Sequence, residues 1–170
     1  MGEALAGEFK GAMRALASAV SIVSTTHDGR RFGMTATSVA SMSMAPPSLL
    51  VCINRDASLY RPLLASGVFC INILHGWQSA IAQAFGSKIE DRFVHGEWRA
   101  DDRAMPYLAD AQANVFCDVD DVHDYGSHTI VIGKVYRVGV RGPVHPLLYQ
   151  DGRYTVGLAE GVDWVIPIAG

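Results

Sequence analysis

Small and hydroxyl-bearing residues are concentrated in one stretch of the sequence. A strand of this composition packs poorly in a core, whereas small side chains let another backbone or a flat ligand come close. Hydroxyl groups and free main-chain N–H groups can then hold the polar edge of that ligand. An exposed edge strand with its threonines facing solvent explains the same pattern, so the composition alone leaves both interpretations open. The residues concerned are Thr35, Ala36, Thr37, Ser38, Ser41 and Ser43.

A histidine at a predicted strand end is the second feature with chemical potential. His128 follows a Tyr125-Gly126-Ser127 turn and opens a long alternating strand. Polar residues that loops place at strand ends often line functional sites. Alternatively, His128 only forms hydrogen bonds with the main-chain groups of the turn. Without further information this alternative is favoured. The aspartates and histidines between Asp118 and His128 are better explained as polar turn residues than as a metal site.

The usual catalytic signatures are missing from the sequence. It contains no GxGxxG or GxxxxGK[ST] loop, no CxxC pair, no HExxH and no GxSxG. A cofactor can nevertheless carry the chemistry while the protein binds, orients and excludes water. Hydride transfer from a nicotinamide to a flavin is one such reaction, since it needs two stacked rings and little proton transfer by side chains. The hydroxyl-rich stretch is compatible with this chemistry without proving it.

Length, charge, apolar runs and cysteines exclude several classes of protein. The 170 residues suit a single domain spanning 1–170 that can bury a sizeable core. A net charge of −3 with no basic run argues against nucleic-acid binding. No apolar run is long enough to cross a membrane, and no secretory signal is visible. The three cysteines, Cys52, Cys70 and Cys117, are expected to be buried free thiols, so we expect a cytoplasmic protein.

Hydrophobic periodicity predicts a mainly β chain with a few peripheral helices. Full crossover helices rarely separate the strands, so a largely antiparallel barrel is a better prediction than a doubly wound parallel sheet. The expected helices are an amphipathic one over Ala4–Ala19, a short one after Arg55-Asp56 and one over Trp77–Phe85. The expected strands are Val20–Thr26, the hydroxyl-rich strand ended by Pro46-Pro47, Ser48–Asn54, Val68–Leu74, Ala111–Val119 and His128–Val140.

Turn-forming residues predict how the strands and helices are connected. Asp28-Gly29 and Asp151-Gly152 predict tight hairpins, because both residues of such a turn favour a positive φ. We expect Ser58 or Asp56 to cap the short helix and Gly67 to end it. The segment from Val122 to Ser127 is predicted to be a turn, and the one from Ser87 to Asp102 a loop with a helical turn.

Taken together, the motifs resemble those of the short-chain flavin reductase family, the reductase components of two-component flavin-dependent monooxygenases. The resemblance runs from Phe9 to about Leu158. No single motif decides it, but their order and spacing are specific. The motifs are VSIVST, GMTATSVASMSMAPPSLLVCIN, Asp56-Ala57-Ser58, VFCINIL, Gln83-Ala84-Phe85, Asp91-Arg92-Phe93, Tyr125-Gly126-Ser127-His128 with TIVIGKV, and PLLYQDGRY.

The resemblance implies a fold and a reaction. The fold is an FMN-binding split β-barrel, a Greek-key antiparallel barrel that forms a homodimer with the flavin near the subunit interface. The reaction is the reduction of FMN or FAD by NADH or NADPH, and a separate oxygenase component would receive the reduced flavin. Two alternatives remain: a flavoprotein that reduces a cobalt corrinoid or ferric iron, and a non-enzymatic split-barrel protein that binds flavin or haem.

The resemblance also implies which segments hold the flavin. Contacts to the polar edge of the ring would favour the charge that develops there as it accepts a hydride. Ser58 has an independent reason to meet an anion, because free N–H groups point outward where a helix begins. Thr35, Ala36, Thr37 and Ser38 match positions along the isoalloxazine; Cys52, Ile53, Asn54, Ala57 and Ser58 match the ribityl and phosphate segment; and Phe85 and Phe93 match positions near the outer end of the flavin.

On the nicotinamide side, His128 matches a histidine that lies beside the nicotinamide in family members, so the resemblance assigns it the catalytic role. Ser127 replaces the acidic residue that commonly precedes this histidine, and Thr37 stands where many members have asparagine. Tyr154 is a further candidate contact on the dinucleotide side.

Overall fold

The computed structural model describes residues 2–89 and 91–157. Within these residues, three helices and twelve strands follow one another along the chain, together with a 3₁₀ turn at Arg92–Val94. No helix in the described ranges is both long and apolar enough to span a membrane. The elements are α1 (Gly2–Arg14), β1 (Ser18–Ala19), β2 (Ser21–His27), β3 (Arg30–Ala36), β4 (Val39–Met44), β5 (Pro47–Asn54), α2 (Tyr60–Ser66), β6 (Val68–Ile73), α3 (Ser79–Gly86), β7 (Trp98–Ala100), β8 (Pro106–Leu108), β9 (Ala113–Tyr125), β10 (His128–Val140), β11 (Leu147–Gln150) and β12 (Arg153–Val156).

Seven strands form one antiparallel sheet in the order β3-β2-β6-β9-β10-β5-β4. Its two edge strands, β3 and β4, are consecutive in the chain and only Thr37 and Ser38 join them. Six inter-strand spacings would separate the edges of a flat sheet by about 29 Å, whereas this connection spans about 11 Å at most. The sheet therefore curls until its edges meet at Thr37–Ser38, which is the predicted barrel of the split type.

Buried aliphatic and aromatic side chains fill the barrel. Val51 and Val131, on the paired strands β5 and β10, have no exposed surface, and Phe69 on β6 packs in the same cluster. A second cluster lies between α3 and the small sheet formed by β1, β11 and β12, and includes Phe85 and Leu147. This second cluster fixes α3 against the outside of the barrel.

Asn72 on β6 is the centre of a buried polar network. Its side-chain oxygen accepts hydrogen bonds from the Leu108 main-chain N–H (2.8 Å) and the Asn114 amide (2.9 Å). Its own amide donates to the Ile22 carbonyl and the Ser24 hydroxyl, both at 2.9 Å. The Asn72 side chain is thereby fully bonded, as the burial of a polar group requires.

Several sequence predictions are confirmed. Asp28 and Gly29 have φ values of 49° and 69°, and Asp151 and Gly152 have 49° and 77°, so both pairs form the expected hairpin turns. Gly67 ends α2 in the left-handed conformation. The three cysteines are free: Cys70 and Cys117 are buried, and Cys52 is half-buried.

Other boundaries were predicted wrongly. The first helix ends at Arg14 rather than Ala19, and none of its described residues is buried. The stretch predicted as a turn from Val122 to Ser127 is strand as far as Tyr125, because β9 and β10 pair along the whole hairpin. Neither Asp56 nor Ser58 caps α2, since Leu59 occupies the cap position without a side-chain bond.

Two further corrections concern β structure. Pro46-Pro47 was predicted to end one strand and Ser48 to begin the next, but β5 begins at Pro47. The first residue of a strand is a position at which a proline is tolerated. The predicted loop from Ser87 to Asp102 contains β7, a short strand that pairs with β8. Three residues are too few for a recognisable alternation in the sequence.

Candidate functional site

A cleft of about 360 Å³ opens beside strand β3. Its walls come from β3, from the loop between β5 and α2, and from the end of α3 with the loop that follows it. Four of the predicted flavin contacts, Thr35, Ala57, Ser58 and Phe85, line it together. The remaining lining residues are Met34, Asp56, Gly86, Ser87, Lys88 and Arg92.

A smaller cavity of about 180 Å³ adjoins this cleft, and Ser58 and Arg92 line both. The smaller cavity contains a fifth predicted residue, Phe93, and two arginines, Arg30 and Arg31, from the start of β3. Together the two spaces form one cleft that holds aromatic rings and cations side by side. Phe85 and Lys88 line the larger space, Phe93 lines the smaller one with Arg30 and Arg31, and Arg92 lines both. Cations beside a serine hydroxyl are suited to a phosphate group.

Two aromatic rings of the cleft, Phe85 and Phe93, pack against each other and against Trp98. The ring centroids of Phe85, Phe93 and Trp98 lie 4.8 to 5.1 Å apart. The Arg31 guanidinium lies over the Phe93 ring, 4.6 Å from its centroid, in the geometry of a cation–π contact. These contacts fix the rings before any ligand binds.

The hydroxyl of Thr35 is already engaged within the protein. It donates a 2.6 Å hydrogen bond to the Ala82 carbonyl and so ties β3 to α3. A hydroxyl that donates in this way can still accept a hydrogen bond from a ligand N–H. The bond therefore limits Thr35 to the acceptor role.

Thr37 and Ser38 lie at the seam where the barrel edges meet, and both are exposed. The Ser38 hydroxyl donates to the Cys52 carbonyl (3.0 Å), and the Cys52 N–H donates to the Ser38 carbonyl (3.2 Å). The seam residues and Cys52 are thus adjacent. The two predicted flavin segments, which are fourteen positions apart at Ser38 and Cys52, meet directly in the fold.

The side chains of the residues next to this seam are buried or form hydrogen bonds within the protein. Ala36 and Ile53 are buried at 6% and 0% exposure, so a ligand would meet their main chain only. The Asn54 side-chain oxygen accepts a 2.9 Å hydrogen bond from the Asp56 N–H and shapes the turn before α2.

His128 begins β10 and pairs with Asn54 at the end of β5. Its ring is exposed, and its Nδ1 atom lies 2.9 Å from the Ser127 hydroxyl oxygen. This hydrogen bond orients the imidazole and leaves Nε2 free for another partner. The histidine is thus placed at the same end of β5 as the loop that lines the cleft.

With this geometry established, comparison with known proteins decides the family. The model of the flavin reductase like domain family matches residues 13–157. The chain belongs to this flavin reductase family.

Individual members are similar over most of their length. The FMN reductase (NADH) RutF of Methylorubrum populi is 41% identical over 151 residues, which are 88% of this chain and 75% of the relative. The reductase component of the FADH(2)-dependent resorcinol hydroxylase of a Rhizobium species is 37% identical, with 94% and 92% covered. The crystal structure of nitrilotriacetate monooxygenase component B from Mycobacterium thermoresistibile superimposes with a TM-score of 0.87 at 32% identity, covering 99% and 97% of the two chains.

One predicted contact of this flavin reductase lies apart from the others. Tyr154 is on β12, its ring centroid 5.4 Å from that of Tyr149, and it packs against the cluster beneath α3. Partial burial raises the pKa of its hydroxyl. Of the predicted residues, the two cavities are lined by Thr35, Ala57, Ser58, Phe85 and Phe93. Tyr154 does not line them and lies on the separate three-stranded sheet. The other predicted residues that do not line them lie at the seam or near the adjoining ends of β5 and β10: Ala36, Thr37, Ser38, Cys52, Ile53, Asn54 and His128.

The cations of the cleft were missed in the sequence analysis of this reductase. Lys88 and Arg92 follow α3, whereas Arg30 and Arg31 follow the first hairpin turn, so no short motif joins them. The Arg92 guanidinium donates a 2.9 Å hydrogen bond to the Gly33 carbonyl, which connects the two segments. The only sequence feature that points to these cations is that basic residues cluster next to a predicted turn and a predicted helix end.

Proposed function

We propose that this flavin reductase reduces FMN with NADH and supplies the reduced flavin to a separate oxygenase component. The observation that carries the proposal is the cleft itself, which brings aromatic rings, hydroxyl groups and cations together in one space. Relatives support the choice of substrates, since the Methylorubrum relative is an NADH-dependent FMN reductase. The Rhizobium relative supports the proposal of a separate oxygenase component, because it is the reductase component of a hydroxylase.

The residues of the cleft fit the two ends of FMN. Ser58, Lys88 and Arg92, which line the larger space, would hold the phosphate through charge-assisted hydrogen bonds. Thr35 and the main chain of the seam residues Thr37 and Ser38 would face the polar edge of the ring. When bound, the flavin supplies the hydride-accepting ring system. The protein itself supplies binding, orientation and the exclusion of water.

His128 is proposed to position the nicotinamide. The Ser127 hydroxyl holds its Nδ1 atom, so the ring presents Nε2 to a ligand. Contact of this kind brings the two reactants to reacting distance, and correct placement alone contributes much of the rate of a transfer reaction.

A homodimer is proposed from the apolar surface beside the barrel seam. A groove of about 300 Å³ there is lined by four valines, two isoleucines, Leu49, Met44, Pro47 and three serines of the large sheet. Around it Met44 and Val138 expose 87% and 55% of their surface. Exposed apolar patches of this kind mark association sites, and a second copy of the chain is the proposed occupant.

We propose the cytoplasm as the location of the protein, because its three free thiols fit a reducing compartment.

The substitution His128→Ala tests the nicotinamide role. We expect kcat/KM for NADH to fall about tenfold or more, with the dissociation constant of FMN unchanged. His123→Ala is the matched control, since His123 is an exposed histidine on the same hairpin, and it should leave both quantities unchanged. An unchanged kcat/KM in His128→Ala would refute the nicotinamide role of His128.

A further inference from the structure

The turn that carries His128 is held by the neighbouring loop of the fold. His128 follows Gly126 and Ser127, the two residues that connect β9 to β10. Opposite this turn, β5 ends at Asn54 and the loop that lines the cleft begins with Arg55. The two loops are therefore adjacent, and Arg55 lies where they meet.

Arg55 bonds to the turn through both its main chain and its side chain. Its N–H donates a 3.0 Å hydrogen bond to the Ser127 carbonyl, and its Nη2 atom donates to the Gly126 carbonyl at 2.5 Å. Its Nη1 atom lies 3.6 Å from a carboxylate oxygen of Asp124. One residue thus engages both carbonyls of the two-residue turn and the strand that precedes it.

The contacts continue from the turn into the protein interior. The second carboxylate oxygen of Asp124 accepts a 2.5 Å hydrogen bond from the hydroxyl of Thr129, which is completely buried. That hydroxyl also lies 3.1 Å from the Tyr60 hydroxyl on α2. The guanidinium of Arg55 is therefore one end of a chain of polar contacts that starts at a buried anchor.

The strength of these contacts indicates a role in geometry more than in stability. The side chains of Arg55 and Asp124 are 44% and 58% exposed, and exposed ion pairs contribute little to folding. A charged donor to a turn carbonyl is stronger and more directional. Since the Ser127 hydroxyl orients the His128 ring, any shift of this turn moves the imidazole with it.

We propose that Arg55 is a positioning residue for hydride transfer, which fixes the Gly126–Ser127 turn so that His128 meets the nicotinamide. The proposal rests on the role of His128 proposed above. Arg55 acts through the turn and needs no contact with either reactant. Flavin binding is consequently independent of it, whereas use of the nicotinamide depends on it.

A double-mutant cycle tests this proposal in the flavin-loaded protein. Arg55→Met removes the side-chain donors and keeps most of the apolar stem. We expect it to lower kcat/KM for NADH about tenfold and to leave the dissociation constant of FMN within about twofold. In a His128→Ala background, the same substitution should lower kcat/KM by less than about twofold, because the residue that it positions is already gone. Arg61→Met, at an exposed arginine of α2, is the matched control and should have no effect.

Equal losses from Arg55→Met in both backgrounds would overturn the proposal, and so would a parallel loss of FMN binding. An unchanged kcat/KM in His128→Ala with a large loss in Arg55→Met would instead refute the assigned role of His128. A readout independent of turnover is hydrogen exchange without NADH. Arg55→Met should lower the protection of the main-chain amide at position 55, which donates to the Ser127 carbonyl, about fivefold or more and leave β6 unchanged. Unchanged protection of that amide would contradict the proposal.

Arg55→Lys serves as the conservative variant. It keeps the charge and one donor but loses the planar fork that reaches the Gly126 carbonyl and Asp124 together. We expect kcat/KM to lie between those of the wild type and Arg55→Met. A value equal to that of the wild type would show that the planar fork of Arg55 is not what holds the turn.

Discussion

Gly33 and Phe85 are in direct contact in the wall of the cleft. A Cβ atom added at Gly33 would lie 2.6 Å from Cε1 and 2.9 Å from Cδ1 of the Phe85 ring, and 3.3 Å from the tip of Phe93. Because Phe85 is 98% buried in the cluster under α3, its ring cannot move away freely. The absence of a side chain at Gly33 therefore sets how closely β3 approaches α3.

Gly33→Ala should consequently disturb the cleft. We expect a loss of about 1–3 kcal/mol in the free energy of unfolding, as is typical of overpacking, together with weaker FMN binding as the ring shifts. Denaturant unfolding and fluorescence titration of FMN measure the two effects. Gly139→Ala is the control, since the nearest atom to its added Cβ is 3.9 Å away. Equal stability of the two variants would show that the Phe85 ring yields without cost.

The proposed phosphate site makes a prediction that depends on the ligand. Lys88→Ala removes an exposed cation from the cleft, so it should raise the KM for FMN about three- to tenfold. Riboflavin, which has no phosphate, is the matched control ligand. Its KM should be the same in the wild type and the variant. An equal rise for both ligands would place the phosphate elsewhere.

The apolar surface beside the seam predicts the oligomeric state. Val138→Asp introduces a charge into the proposed subunit interface and should convert the dimer into a monomer in light scattering coupled to size-exclusion chromatography. Val144→Asp, at a valine that is 83% exposed in the loop between β10 and β11, should remain dimeric. A wild-type protein that is already monomeric at high concentration would refute the dimer.

Alkaline pH tests the burial of Cys117. Burial raises the pKa of this thiol from 9.0 to about 12. Above pH 9 the unfolded chain loses this proton while the folded chain keeps it, so stability that is fully present below pH 9 falls as the pH rises toward 12. We expect the free energy of unfolding to decrease more between neutral pH and about pH 10 in the wild type than in Cys117→Ala. Parallel decreases would show that Cys117 titrates alike in both states.

Local chemistry allowed much of this fold to be predicted from the sequence. Asp28-Gly29 and Asp151-Gly152 specify their hairpins through backbone conformation alone, and Ser48–Asn54 is recognisable as a continuous apolar run. The failures depend on pairing between distant residues. Val122 to Tyr125 is polar enough to be taken for a turn, and only the partner strand β10 keeps it extended. The first helix was recognised, but its end at Arg14 is set by contacts with Asp151 that are remote in sequence.

The candidate site was predictable to a similar degree. Thr35, Ala57, Ser58 and Phe85 were identified from motifs and lie in one cleft. Lys88 and Arg31 were missed because the two segments that carry them meet only after the barrel closes and α3 docks. Ile53 shows the opposite limit, since the motif places it among the expected flavin contacts while its side chain is buried in the core.

The oxidation of NADH and NADPH, followed by nicotinamide absorbance with FMN or FAD added to the purified protein, tests the central claim most directly. We predict rapid, flavin-dependent oxidation of NADH that is fastest with FMN, and loss of that activity in His128→Ala but not in His123→Ala. Flavin that binds while neither nucleotide is oxidised would contradict the reductase and favour a flavin carrier or sensor.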